Sequence, residues 1–111
     1  MEEKKTNQLP EGAAEPECCR RKATPRGEKE LRLLQNRLSR ISGQLGGIAK
    51  MLEENRYCGD ILMQVAAAES ALQAFGYLVL QNHLETCVVE EIQKGNTQIV
   101  EEALELIRKL K

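Results

Sequence analysis

The chain has 111 residues, a formal net charge of −1, and one Phe, two Tyr and no Trp. That length holds one domain, and an aliphatic core of about 80 helical residues is thin enough that association is expected to complete it. No apolar run reaches the ~18 residues of a membrane span and no signal peptide opens the chain, so a cytoplasmic protein is expected, its four cysteines reduced thiols or ligands rather than disulfides.

Residues 1–27 hold all three prolines (Pro10, Pro16, Pro25) with many charges and almost no large aliphatic side chains, which reads as a disordered N-terminal tail. The tail contains Cys18-Cys19 followed by Arg20-Arg21-Lys22. Vicinal thiols bind metal or oxidise, and in a flexible tail they are equally an incidental exposed pair. The basic cluster suits a phosphate-contacting arm or simple solubilisation. The near-neutral total also hides a division. Residues 18–56 carry ten Lys/Arg against four Glu, whereas residues 57–111 carry four Lys/Arg against eight Asp/Glu. A basic end and an acidic end suit a nucleic-acid binder with a separate sensing region, and they suit a solvated surface as well.

From Glu28 to about Asn55, Leu31, Leu34, Leu38, Ile41, Leu45, Ile48 and Leu52 alternate spacings of three and four, the seam of a long bundle helix. Gly43, Gly46 and Gly47 weaken this helix by about 1 kcal/mol each relative to Ala and are read as sites of close helix contact. Beside the seam, Arg37, Arg40 and Gln44 follow at i, i+3 and i+7. Arg pairs with phosphate, and Gln bonds to phosphate or to a base edge. A solvated charged face is the plainer account of such a stripe, and no helix-turn-helix pattern is present.

A second helix is expected from Cys58 to Lys94, with Ala66, Ala67, Ala68, Ala71 and Ala74 as a small-residue stretch at its middle. Gly95-Asn96 breaks it, and Asn96 or Thr97 is a suitable N-cap for a third. That short C-terminal helix carries Ile99, Val100, Ala103, Leu104, Ile107 and Leu110 on one side. The fold class is therefore all-α, with residues 28–111 forming a helical domain of two long helices and a short one.

Cys58, His83 and Cys87 stand out on the second helix. His83 and Cys87 are at i, i+4 and project from one face. Cys58 lies 25 residues before His83, roughly 37 Å away at ~1.5 Å per residue, so one straight helix cannot gather the three. They meet if the helix packs antiparallel on a copy of itself, and the midpoint falls near Ala71 and Leu72, where backbones approach most closely. Two sulfurs and one nitrogen favour Cu(I) or Zn(II), and a three-ligand set suits Cu(I). Asp60 and Glu102 are the nearest further donors. Taken singly, a helical Cys is more often a small core residue and a His a hydrogen-bonded one. A Cys58–His83 nucleophile pair lacks an oxyanion loop and an orienting third group, so no enzyme activity is expected.

The segments Arg37-Leu38-Ser39-Arg40-Ile41-Ser42-Gly43-Gln44-Leu45-Gly46-Gly47-Ile48, Tyr57-Cys58-Gly59-Asp60-Ile61-Leu62 and Asn82-His83-Leu84-Glu85-Thr86-Cys87 resemble the signatures of the CsoR/RcnR family of bacterial metal-sensing transcriptional repressors. The resemblance covers residues 28–111. It implies a three-helix protomer, an antiparallel dimer, usually a dimer of dimers, and operator DNA bound by the apo-protein and released by the inducer. Copper sensors carry Cys, His and Cys at the positions of Cys58, His83 and Cys87, which implies Cu(I) as inducer. It also implies supporting roles for Tyr57 and Glu102, Glu101 being the adjoining alternative, and DNA contact through Arg37. Ser42 and Gly46 stand where some members are basic or charged. Two other readings stay open: a thiol- or persulfide-responsive repressor using Cys58 and Cys87, or a sensor of another metal. A metal-storage or structural zinc bundle that never touches DNA is a third.

Overall fold

The computed structural model describes residues 21–110. Among them every regular element is helical: α1 (Glu28–Glu53), α2 (Cys58–Asn82), a π-helical segment (His83–Val88), α3 (Val89–Gln93) and α4 (Ile99–Leu110). His83, Val88 and Val89 all keep right-handed helical dihedrals, so α2, the π segment and α3 form one continuous rod. At ~1.5 Å per residue, residues 58–93 span roughly 54 Å, which matches the longest dimension of the molecule, 55 Å. The sequence-level reading of two long helices and a short C-terminal one therefore describes the chain.

Local chemistry sets the boundaries. Glu28 and Glu30 occupy the first turn of α1 and Lys50 its last, each favourable to the helix dipole. The helix stops where Asn55 takes φ 55°, a left-handed conformation that Asn tolerates. Asn55 N–H then bonds to Leu52 O at 3.1 Å and Arg56 N–H to Met51 O at 3.0 Å, which closes the end as a Schellman motif. Gly95 (φ 93°) repeats the motif beyond α3, with Gly95 N–H on Ile92 O and Asn96 N–H on Glu91 O, both 2.9 Å.

The heptad seam of α1 splits into two stripes. Leu34 and Ile41 are buried (8% and 6% exposed) and Ile48 is half-buried. Leu31, Leu38, Leu45 and Leu52, the alternate members, stay 43–62% exposed. Within one protomer only the first stripe meets α2, where Ala68 is buried and Ala71 shares a concavity with Ile41. A second core of Val88, Ile99 and Ala103 seats α4 against the π segment. Leu62, Met63, Leu72 and Tyr77 of α2 remain exposed as well, as do Ala66, Ala67 and Ala74. A monomer in water would leave these unpaired stripes at a large hydrophobic cost. Ile41→Ala, which empties the α1–α2 contact, is expected to cost about 2–4 kcal/mol in urea unfolding followed by circular dichroism.

Candidate metal centre and nucleic-acid interface

His83 and Cys87 lie inside the π segment, where the backbone widens by one residue per turn. Thr86 sits within the segment. Its Oγ1 donates to the Asn82 carbonyl at 2.7 Å, competing with the amide that an α-helix would place there, a habit of Ser and Thr that bends helices. Both ligand-type side chains are thus presented together in one widened turn. Cys87 is a half-buried free thiol. His83 is half-buried too, and its Nε2 is a buried atom with no hydrogen-bond partner among the described residues.

Two cavities border this turn. The first, about 430 Å³, is lined by Phe75, Val79, Leu80, His83, Cys87 and Leu106 among others. The second, about 310 Å³, is lined by Glu90, Glu91, Asn96 and Glu102 together with His83 and Cys87. Glu102 therefore faces the His83–Cys87 turn, whereas Glu101 lines a separate hollow with Thr97 and Gln98. Cys58 sits at the opposite end of α2 as an exposed free thiol. Tyr57 beside it is 75% exposed, its ring laid so closely over Gly59 that a Cβ there would meet Tyr57 Cε2 at 2.5 Å. Among the described residues no group of three or more His, Cys, Asp or Glu side chains within the chain could hold a metal. One protomer places His83, Cys87 and Glu102 on the wall of one cavity without forming a three-ligand cluster, and puts Cys58 and Tyr57 at the other end of the rod.

Of the tail, Arg21–Gly27 is among the described residues; Cys18 and Cys19 lie outside them. Lys22 Nζ donates to Thr86 Oγ1 at 3.0 Å and to Cys87 Sγ at 3.3 Å. Thr24 Oγ1 donates to Glu90 Oε2 at 2.7 Å. Sequence reading did not connect Lys22 with the ligand turn, because no local pattern links residues 65 apart. The π segment had one signal in the sequence, Thr86 between the two ligand-type residues.

On α1, Arg37, Arg40 and Gln44 line one concavity of about 360 Å³ with Ile41 and Ala71. The outer part of this face is Arg40, which is exposed, while Arg37 and Gln44 are half-buried against the helix pair. Among the described residues no helix is long and apolar enough to cross a membrane.

Residues 30–109 match the family described as metal-sensitive transcriptional repressor. The chain belongs to this family, an all-helical class of regulators rather than enzymes. Within it, the chain is similar to the copper-sensing transcriptional repressor CsoR of Bacillus subtilis (strain 168), 38% identical over 85 residues, 76% of this chain and 84% of that protein. It is also similar to the crystal structure of the copper-sensing repressor CsoR with Cu(I) from Geobacillus thermodenitrificans NG80-2. That likeness has a TM-score of 0.74 at 38% identity and covers 79% of this chain and 93% of the other. The nickel-responsive transcriptional regulator InrS shares the fold with a TM-score of 0.63 at 34% identity, over 79% of this chain and all of that one.

Proposed function

We propose that this metal-sensitive repressor responds to Cu(I), held between protomers by Cys58 of one and by His83 and Cys87 of the partner subunit. The observation that carries the reading is the unpartnered, buried Nε2 of His83 beside the free Cys87 thiol, with a free, exposed Cys58 at the other end of the same helix. Two thiolates and an imidazole fit a soft monovalent ion that accepts three ligands. The likeness to copper-sensing relatives supports the same choice, and the likeness to a nickel-responsive one supports only the fold.

Each residue has a distinct task. Cys58 at the start of α2 and Cys87 in the π segment bring sulfur from two distant parts of the long rod, and antiparallel packing along the exposed Ala66, Ala67 and Ala74 stretch brings them into register. The bound ion supplies a cross-link between neighbouring α2 rods. His83 offers one ring nitrogen to the ion and the other to Glu102, in its own cavity, or to Tyr57 of the partner subunit. Asp60 lies beside the Cys58 end and contributes a first-turn charge to α2. Arg37, Arg40 and Gln44 bind operator DNA in the apo-form, assembled as a dimer of dimers. Metal weakens that binding only by its differential affinity for the free and DNA-bound forms. A coupling of ~3 kcal/mol corresponds to roughly 150-fold weaker operator binding.

The test is an anaerobic titration of reduced protein with Cu(I), read by fluorescence anisotropy of duplex DNA from its own promoter. Release complete at one copper per protomer, and lost in Cys58→Ala and in Cys87→Ala, is expected. Release by persulfide with indifference to copper would contradict the reading, and so would the absence of DNA binding in every state. In the same assay Arg37→Ala is expected to weaken binding to all sequences and to lower the salt slope by about 1, the signature of one lost phosphate contact.

A further inference from the structure

Lys22 is the charged side chain that the proposed ligand set leaves unexplained. Its ammonium rests on Cys87 Sγ (3.3 Å) and Thr86 Oγ1 (3.0 Å). It lines both cavities that border His83 and Cys87. Thr24 fastens the same segment to Glu90 two residues further on, which anchors the chain next to the ammonium. An ammonium has three donors and no acceptor, so Lys22 cannot be a ligand. Its contribution to the site is a positive charge.

The geometry points to Lys22 as a residue that selects the charge of the bound ion. This rests on Cys58, His83 and Cys87 being the ligands. Two thiolates and a neutral imidazole around a monovalent cation carry a net charge of −1, which the Lys22 ammonium cancels. Around a divalent cation the same ligands carry no net charge, so the ammonium loses the anionic ligand set that attracts it. The other charges nearby do not undo this difference. Glu90, which accepts the Thr24 hydroxyl and keeps its charge, Glu91, paired with Lys94 and Asn96, and Arg21 and Glu102 on the wall of the second cavity are the same fixed background for either ion. Lys22 is the charge in contact with a ligand atom, and Coulomb attraction is steepest there.

The experiment titrates the reduced, full-length protein anaerobically against chromophoric competitors for Cu(I) and, separately, for Zn(II). In Lys22→Gln, Cu(I) affinity is expected to fall about tenfold, while Zn(II) affinity holds or rises. Lys22→Arg, which keeps the charge, is expected to retain the wild-type ratio. Equal losses for both ions, or no change for either, would overturn the assignment and leave Lys22 a merely structural contact. Wild-type protein that takes up Cu(I) no better than Cys87→Ala would instead overturn the ligand set itself. The ratio of two affinities therefore separates the failure of this inference from the failure of the reading beneath it.

Discussion

Replacing His83 with Ala is expected to leave Cu(I) bound and operator DNA unreleased. Cys58 and Cys87 still offer two sulfurs, and two-coordinate thiolate ligation suits a soft monovalent ion. His83 and Cys87 both border the Glu102 side of the site through the second cavity, and of the two only the imidazole carries a second polar atom to offer there. Its two nitrogens can join the ion to α4, and the loss of that link uncouples binding from response. In numbers, the roughly 150-fold weakening of operator affinity by copper should shrink to a few-fold. Copper uptake, followed by competition with a chelator, should stay within about a factor of ten of wild type. The two readouts are measured on one preparation, so misfolding cannot imitate the outcome: a misfolded variant loses both.

Leu45→Glu should have the second large effect, and its sign depends on assembly. In an isolated protomer Leu45 is 56% exposed, and a Glu there would be close to neutral. If the Leu31, Leu38, Leu45 and Leu52 stripe is covered by another copy, the same change buries a carboxylate against leucines and costs several kcal/mol per interface. Sedimentation of the variant is expected to show dissociation at concentrations where the wild type stays assembled. Copper affinity and operator binding should fall with it, because the ligand set spans two protomers. A Leu45→Glu protein that keeps its assembly state would show that this stripe faces solvent.

The fold was largely legible because its signals are local. The three-and-four spacing from Leu31 to Leu52 marks α1, and Gly95-Asn96 marks the end of the long rod. What the spacing could not tell was that its two alternating sets face different partners. Leu34 and Ile41 turn inward and Leu38 and Leu45 outward, a division that depends on where α2 lies and not on α1 itself. The ligand-type residues could be picked out by chemistry, yet their local backbone could not. The π segment holds one hydroxyl, Thr86, bonded to the Asn82 carbonyl, and helical periodicity does not register such a widened turn. Glu102 and Glu101 are indistinguishable by composition, and only the docking of α4 on Val88 decides which of them faces His83. Lys22 belongs by sequence to a basic cluster, and its partner is far along the chain. Long-range pairing of this kind leaves no periodic trace.

The most direct test of a shared site is complementation between two inactive chains. Cys58→Ala protein keeps His83 and Cys87, and Cys87→Ala protein keeps Cys58. Each alone lacks every complete ligand set. Co-expressed with different tags and purified as the mixed dimer, the pair contains one complete set if the ligands come from opposite protomers. One tightly bound Cu(I) per mixed dimer, with none in either parent dimer, is the expected result. No tight copper in the mixed dimer would mean that the ligands do not combine across the interface, and the intersubunit site would be wrong.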